Sequence, residues 1–205
     1  MNVITADTST IREEIAQHPE FLQSAEPLFV AARYNCREAA ALLLDLGTPV
    51  NIESRDGERA LHIAAYHNSV DVAELLIARG ADVDAIGRQY SNTPLGGAMH
   101  CRSTGVIELL CRFSRSAWEV GYAGNVERVR ELLTEKPERA RAIGDGETLL
   151  MWLPPADEVA ALEIARMLLD NGADPAVRDP QGLTAADRAE RNAMFEVAAL
   201  LRERE

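Results

Sequence analysis

The sequence predicts an all-α fold: a solenoid of stacked helix-turn-helix units carrying short β-hairpin fingers. Two observations lead there. A short phrase, Ala60-Leu61-His62-Ile63-Ala64-Ala65, returns in altered form as Thr93-Pro94-Leu95-Gly96-Gly97-Ala98. About 33 residues separate the two, a period that belongs to stacked repeats. Each phrase is followed by an aliphatic pair and often by Gly-Ala-Asp, as at Gly80-Ala81-Asp82 and Gly172-Ala173-Asp174. Such arrays grow by adding units that rest on their neighbours, so 205 residues need not be divided among separate cores. A hydrophobic content of 47% with 5% aromatics suits small aliphatic side chains packed between helices.

At the N-terminus, Thr10-Ile11-Arg12-Glu13 has the form of a capping box. It opens a helix with Ile11, Ile15 and Leu22 facing inward, interrupted at His18-Pro19. In the best-formed unit, Leu61, Ala64 and Ala65 give a first helix with a small apolar face. Val72, Ala73, Leu76 and Ile77 mark one face of a second. Gly80 ends it as a left-handed cap, and Gly47 and Gly172 repeat the design. Thr93-Pro94 reads as an N-cap followed by a proline where no N–H is needed. The turns before first helices carry Asp56-Gly57, Asp145-Gly146 and Gln181-Gly182, where positive φ is cheap.

These residues resemble the ankyrin repeat family, whose unit runs roughly D-x-x-G-x-T-P-L-H-x-A-A-x-x-G, then an aliphatic helix, then G-A-D-V-N. The resemblance covers residues 24–203 as six units, after a capping helix within 1–23, so 1–205 is expected to be one repeat domain. First-helix anchors fall at Leu28, Leu61, Leu95, Ala117, Leu150 and Ala186, and second-helix pairs begin at Leu43, Leu76, Leu110, Leu132 and Leu168. Both series step by 33, 34 and 22 over the first four units. The step of 22 implies a missing finger between the third and fourth units, with Phe113-Ser114-Arg115 as a direct link. In the fifth unit, Leu153-Pro154-Pro155-Ala156-Asp157-Glu158 should end the first helix and push out a loop. A helix over Ala189–Leu200 with a charged finish, Arg202-Glu203-Arg204-Glu205, reads as the other cap of a complete array.

The chain carries 33 acidic against 21 basic residues, a formal net charge of −12, and Lys136 is its only lysine. Such a surface repels phosphate backbones and anionic lipid, so nucleic acid and membranes are poor partners. A basic protein partner, such as a toxic nuclease met by an immunity protein, would associate faster. Cys36, Cys101 and Cys111 form no CxxC or zinc spacing and suit a reducing, cytoplasmic setting. Met1 to Thr10 lacks a basic start followed by an apolar run, no stretch reaches the roughly 18 apolar residues of a membrane span, and a monomer is the expected default. No phosphate loop, HExxH or GxSxG motif occurs, so neither cofactor, metal nor catalysis is expected.

What the resemblance implies is a non-catalytic protein-binding module. In the family, the two residues after the Ala-Ala of each first helix and the finger tips line a concave partner-binding face. The corresponding positions here are Arg33 and Tyr34, Tyr66 and His67, His100 and Cys101, Tyr122 and Ala123, with Glu53, Arg55, Asp56, Glu58, Arg88, Gln89 and Tyr90 on fingers. Tyrosine suits recognition because it buries a large rigid area with few torsions to order. Trp118 and Met151 stand where the family has its TPLH histidine, with Trp152 beside the latter; Trp118 and Trp152 either fill volume or anchor a partner. His62 keeps the family's structural position. A second reading places a small-molecule or catalytic pocket at the irregular units three to five, drawing on His100, Cys101, Trp118, Glu119, Tyr122 and Trp152.

Overall fold

The computed structural model describes residues 8–88 and 92–205. They gather into two compact units, Met1–Ser114 and Arg115–Glu205, each built of short helices in two rows.

In the first unit, α1 (Thr8–Gln17) leads through a 3-10 turn (Pro19–Gln23) into three helix pairs. These are α2 (Glu26–Arg33) with α3 (Arg37–Asp45), α4 (Ala60–Tyr66) with α5 (Val70–Ala78), and α6 (Pro94–Cys101) with α7 (Thr104–Cys111). The first helices α2, α4 and α6 pack side by side, and α3, α5 and α7 make the second row, with α1 against α3. Between the rows lie Leu28, Leu61 and Leu95 from the first helices and Leu43, Leu76 and Leu110 from the second, all essentially without exposure. Helix α1 begins at Thr8, so Thr10 stands inside it and is not its cap; Ile11 and Ile15 are buried as expected and Leu22 is half-buried.

Local chemistry sets the ends. The Thr93 hydroxyl accepts the Gly96 N–H at 3.1 Å, with Pro94 opening α6. Gly80 adopts φ 84° after α5, the left-handed cap that a Cβ would strain. Within the first unit a repeat also helps to finish the second helix of the repeat that follows it. Asn35, at φ 54°, accepts the Val72 N–H near the start of α5 at 3.1 Å, and Asn68, at the same φ, accepts the Val106 N–H of α7 at 3.1 Å.

The fingers are slight. In the first unit an isolated antiparallel bridge joins Glu53 and Arg59. Between α7 and α8 (Ala117–Tyr122) five residues run without a strand, and Ser114 there is fully buried, its hydroxyl 2.7 Å from Asp84 Oδ1. The deletion read from the step of 22 thus falls on a closely packed link.

The second unit continues with α9 (Val126–Glu135), a 3-10 turn (Pro137–Arg141), and strands β1 (Ile143–Gly144) and β2 (Glu147–Thr148), antiparallel with Ile143 opposite Thr148. A further 3-10 turn (Leu149–Met151), α10 (Glu158–Asp170), α11 (Ala185–Arg191) and α12 (Phe195–Arg202) complete it. The turn at Leu149–Met151 packs between α8 and α11, and α9, α10 and α12 form the second row. Two expectations are corrected. The fifth first helix is a single 3-10 turn, and Leu153 and Pro154 of the loop after it are buried; only Pro155, Ala156 and Asp157 stand out, because the prolines end the helix while the apolar side chains still pack. The helix expected over Ala189–Leu200 breaks at Asn192–Met194, where Ala193 takes φ 58° and the Met194 N–H closes on the Ala189 carbonyl.

Candidate functional site

In the first unit the chain emerges into solvent at the end of each first helix, while the anchor five residues before that point is buried. Arg33 and Tyr34 end α2 exposed, Tyr34 by 54%; His67 follows α4, and His100 and Cys101 end α6, all exposed. Arg33 makes no ion pair among the described residues. Burial, and then the charge of Arg33, hold the His67 imidazole below its usual pKa, so the two side chains are electrostatic neighbours.

Tyr66 is half-buried. Its hydroxyl donates to Glu58 Oε2 at 2.9 Å and lies 3.3 Å from Asn92 Oδ1. The ring fits because residue 97 is glycine: a Cβ there would stand 2.3 Å from Tyr66 Cε1. What remains of the ring forms the wall of a groove of about 580 Å³ whose other described lining residues are Asn92, Gly96, His100 and Cys101.

Glu58 corrects the expected finger row. It is 4% exposed, turned inward beneath Tyr66 and 3.9 Å from His62 Nδ1, and cannot meet a partner. Arg55 is exposed, and Arg88 is exposed with Glu53 at 3.6 Å. Glu53 is itself held by Arg59 at 2.9 Å, and Asp56 is exposed at the turn. Gln89 and Tyr90 lie outside the described residues. His62 is structural: fully buried, it accepts the Arg59 N–H on Nδ1 at 3.2 Å, which leaves Nε2 to donate to the Ala85 carbonyl at 3.1 Å.

In the second unit Tyr122 (39% exposed) and Trp152 (40% exposed) meet edge to face, centroids 5.8 Å apart. The Trp152 indole N–H donates to Glu147 Oε2 at 2.6 Å. Trp118 is half-buried against Gly144, whose added Cβ would lie 3.7 Å from the indole, so it fills volume beneath β1 while Trp152 is the exposed member. Tyr122 and Trp152 line a second groove, of about 330 Å³, with Met151, Leu183 and the polar side chains of Asp179, Gln181, Arg188, Arg191 and Asn192. Arg188 is fixed between Asp179 (2.7 Å) and Glu147. Arg191 and Asn192 escaped the sequence reading, although they stand five and six residues past the anchor Ala186, as Arg33 and Tyr34 do past Leu28.

The residues assembled for a small-molecule pocket belong to both compact units. His100 and Cys101 belong to the groove of the first unit, Tyr122 and Trp152 to that of the second, and Trp118 and Glu119 line neither. Among the described residues no cluster of His, Cys, Asp or Glu could hold a metal ion, and no helix is long and apolar enough to cross a membrane.

The family profile of ankyrin repeats in three copies matches residues 12–87 and 28–120, which together span more than half of the chain. The human mitochondrial disaggregase is 30% identical over 186 residues, 85% of this chain. Serine/threonine-protein kinase 12 of Arabidopsis thaliana is 33% identical over 98 residues, 48% of this chain. The matches span only 25% and 21% of those two proteins. Among solved structures, an ankyrin repeat domain from Acinetobacter baumannii superposes with TM-score 0.63 at 23% identity, over 88% of this chain and 98% of that one. A chain from the complex of a predatory endopeptidase with an immunity protein of Bdellovibrio bacteriovorus also gives 0.63, at 18% identity, over 89% and 100%. At such identities the likeness is one of fold.

Proposed function

The chain belongs to the ankyrin repeat family, and we propose on that premise that it is a non-catalytic module that binds a partner protein at the exposed ends of its first helices. Ankyrin repeats are in general protein–protein interaction modules. The observation that supports this face is the contrast within each first helix. Leu28, Leu61 and Leu95 are buried to the last few per cent, whereas Arg33, Tyr34, His67, His100 and Cys101, five or six residues on, stand in solvent with little structural work to do. A rigid frame that presents large amphipathic side chains at low ordering cost is what recognition requires.

The test uses the two exposed tyrosines. Cross-linking and mass spectrometry on cells of the source organism should recover a partner with the native chain, and recovery should fall sharply for Tyr34→Ala combined with Tyr122→Ala. A folded double variant that recovers the same partner undiminished removes this face from the reading. Net acidity would speed encounter with a basic partner, but it describes the molecule as a whole, not the contact residues.

A further inference from the structure

The first-helix ends of the candidate face carry no carboxylate, although the molecule as a whole is acidic. Across the six repeats, the positions five and six residues past the first-helix anchor hold no aspartate or glutamate, in a chain with 33 of them. In the first unit they hold Arg33, His67 and His100 beside Tyr34, Tyr66 and Cys101. Arg59 pairs with Glu53 and Asp82, and Arg79 with Asp45, whereas Arg33, like Arg37, Arg55 and Arg102, makes no ion pair among the described residues. The carboxylate that takes the Tyr66 O–H, Glu58, is buried.

We infer that the first-helix ends of the first unit receive a carboxylate-bearing segment of a partner protein, with its acidic side chains on Arg33, His67 and His100 and its apolar ones against the Tyr66 ring in the groove. This rests on the interaction-module reading and names the partner's chemistry. Contact charge outweighs net charge here because exposed charges are screened beyond about 8 Å at physiological salt, while groups within a few ångströms are not. The effect of Arg33 on His67 points the same way. Burial first, and Arg33 second, oppose a proton on His67, and a carboxylate set between them relieves the second effect. A polyanion such as RNA would offer negative groups too, but it must bring many phosphates against a chain of net charge −12. A short acidic segment of protein meets only the Arg33 guanidinium and the neighbouring imidazoles.

A random dodecapeptide display library, selected on the full chain, tests this directly. The recovered peptides should be enriched in Asp and Glu with interspersed apolar residues. Recovery on Arg33→Glu should drop by roughly tenfold or more, as for loss of one well-placed charge pair. Arg166→Glu, an equal charge change at an exposed site on α10, should leave it unchanged. Circular dichroism confirms that both variants are folded. Enrichment of basic or uncharged peptides, no enrichment at all, equal recovery on Arg33→Glu, or tighter binding of a single-stranded RNA probe each overturns the inference. Basic peptides whose recovery is lost on Tyr34→Ala would overturn the acidic partner alone and leave the interaction module standing.

Discussion

His62 and Gly97 show how much of the first unit depends on single side chains. The imidazole is held neutral, with Nδ1 accepting and Nε2 donating, and burial lowers its pKa even though Glu58 at 3.9 Å pulls the other way. Above the ordinary histidine pKa of about 6.5 both folded and unfolded chains are unprotonated there, and no stability is lost. As pH falls below that value, the unfolded chain takes up a proton that the folded one refuses, so stability declines toward the lowered folded pKa. Melting temperature should therefore drop between neutral and mildly acidic buffer; His62→Gln should start lower and show a flatter dependence, with His67 supplying what slope remains. Gly97→Ala should force the Tyr66 ring outward and break its bond to a buried carboxylate, costing roughly 1–3 kcal/mol in chemical denaturation. A neutral result would mean the ring has room that its contacts deny. Neither Glu58 nor Gly97 was legible in the sequence. Glu58 sits beside a turn and reads as a finger residue; its burial depends on a tyrosine eight positions later and a glycine still further on.

Among the elements, the helices were legible wherever the period spoke and obscure where a residue acted against its type. Leu28, Leu61, Leu95 and the second-helix leucines announced themselves by spacing, and all are buried. The break before α12 turns on Ala193 at positive φ, a conformation that alanine does not advertise and that glycine would have. The half-formed fifth helix was signalled by Pro154-Pro155, but the burial of Leu153 and Pro154 was not, since a proline pair marks an end without saying where the chain goes next. The cross-unit asparagines were missed because their partners lie more than 35 residues away. Asn68→Ala should cost about 0.5–2 kcal/mol, from the lost cap on α7 together with an alanine forced to φ 54°. Urea denaturation measures it, and a change below a few tenths would show that water replaces the amide without loss.

For the molecule as a whole, a stack of repeats distributes stability along its length, each unit resting on its neighbours. Leu76, fully buried between the rows of the first unit, should cost about 2–5 kcal/mol as Leu76→Ala, whereas Arg33→Ala in solvent should stay within about 0.5 kcal/mol. Hydrogen exchange should locate the damage: protection in α4 to α7 should collapse for Leu76→Ala, with a smaller change in α10 and α12. Uniform loss along the chain would mean that it unfolds as a single cooperative block. The asparagines carry a separate consequence. Because Asn35 and Asn68 complete a helix belonging to the next repeat, a repeat grafted at those junctions must arrive with the matching donor N–H in place. Helix α9 is different: its own Asn125 accepts the Arg128 N–H. A transplant that begins at α9 brings its helix cap with it, and recombination there is less constrained than at either earlier seam.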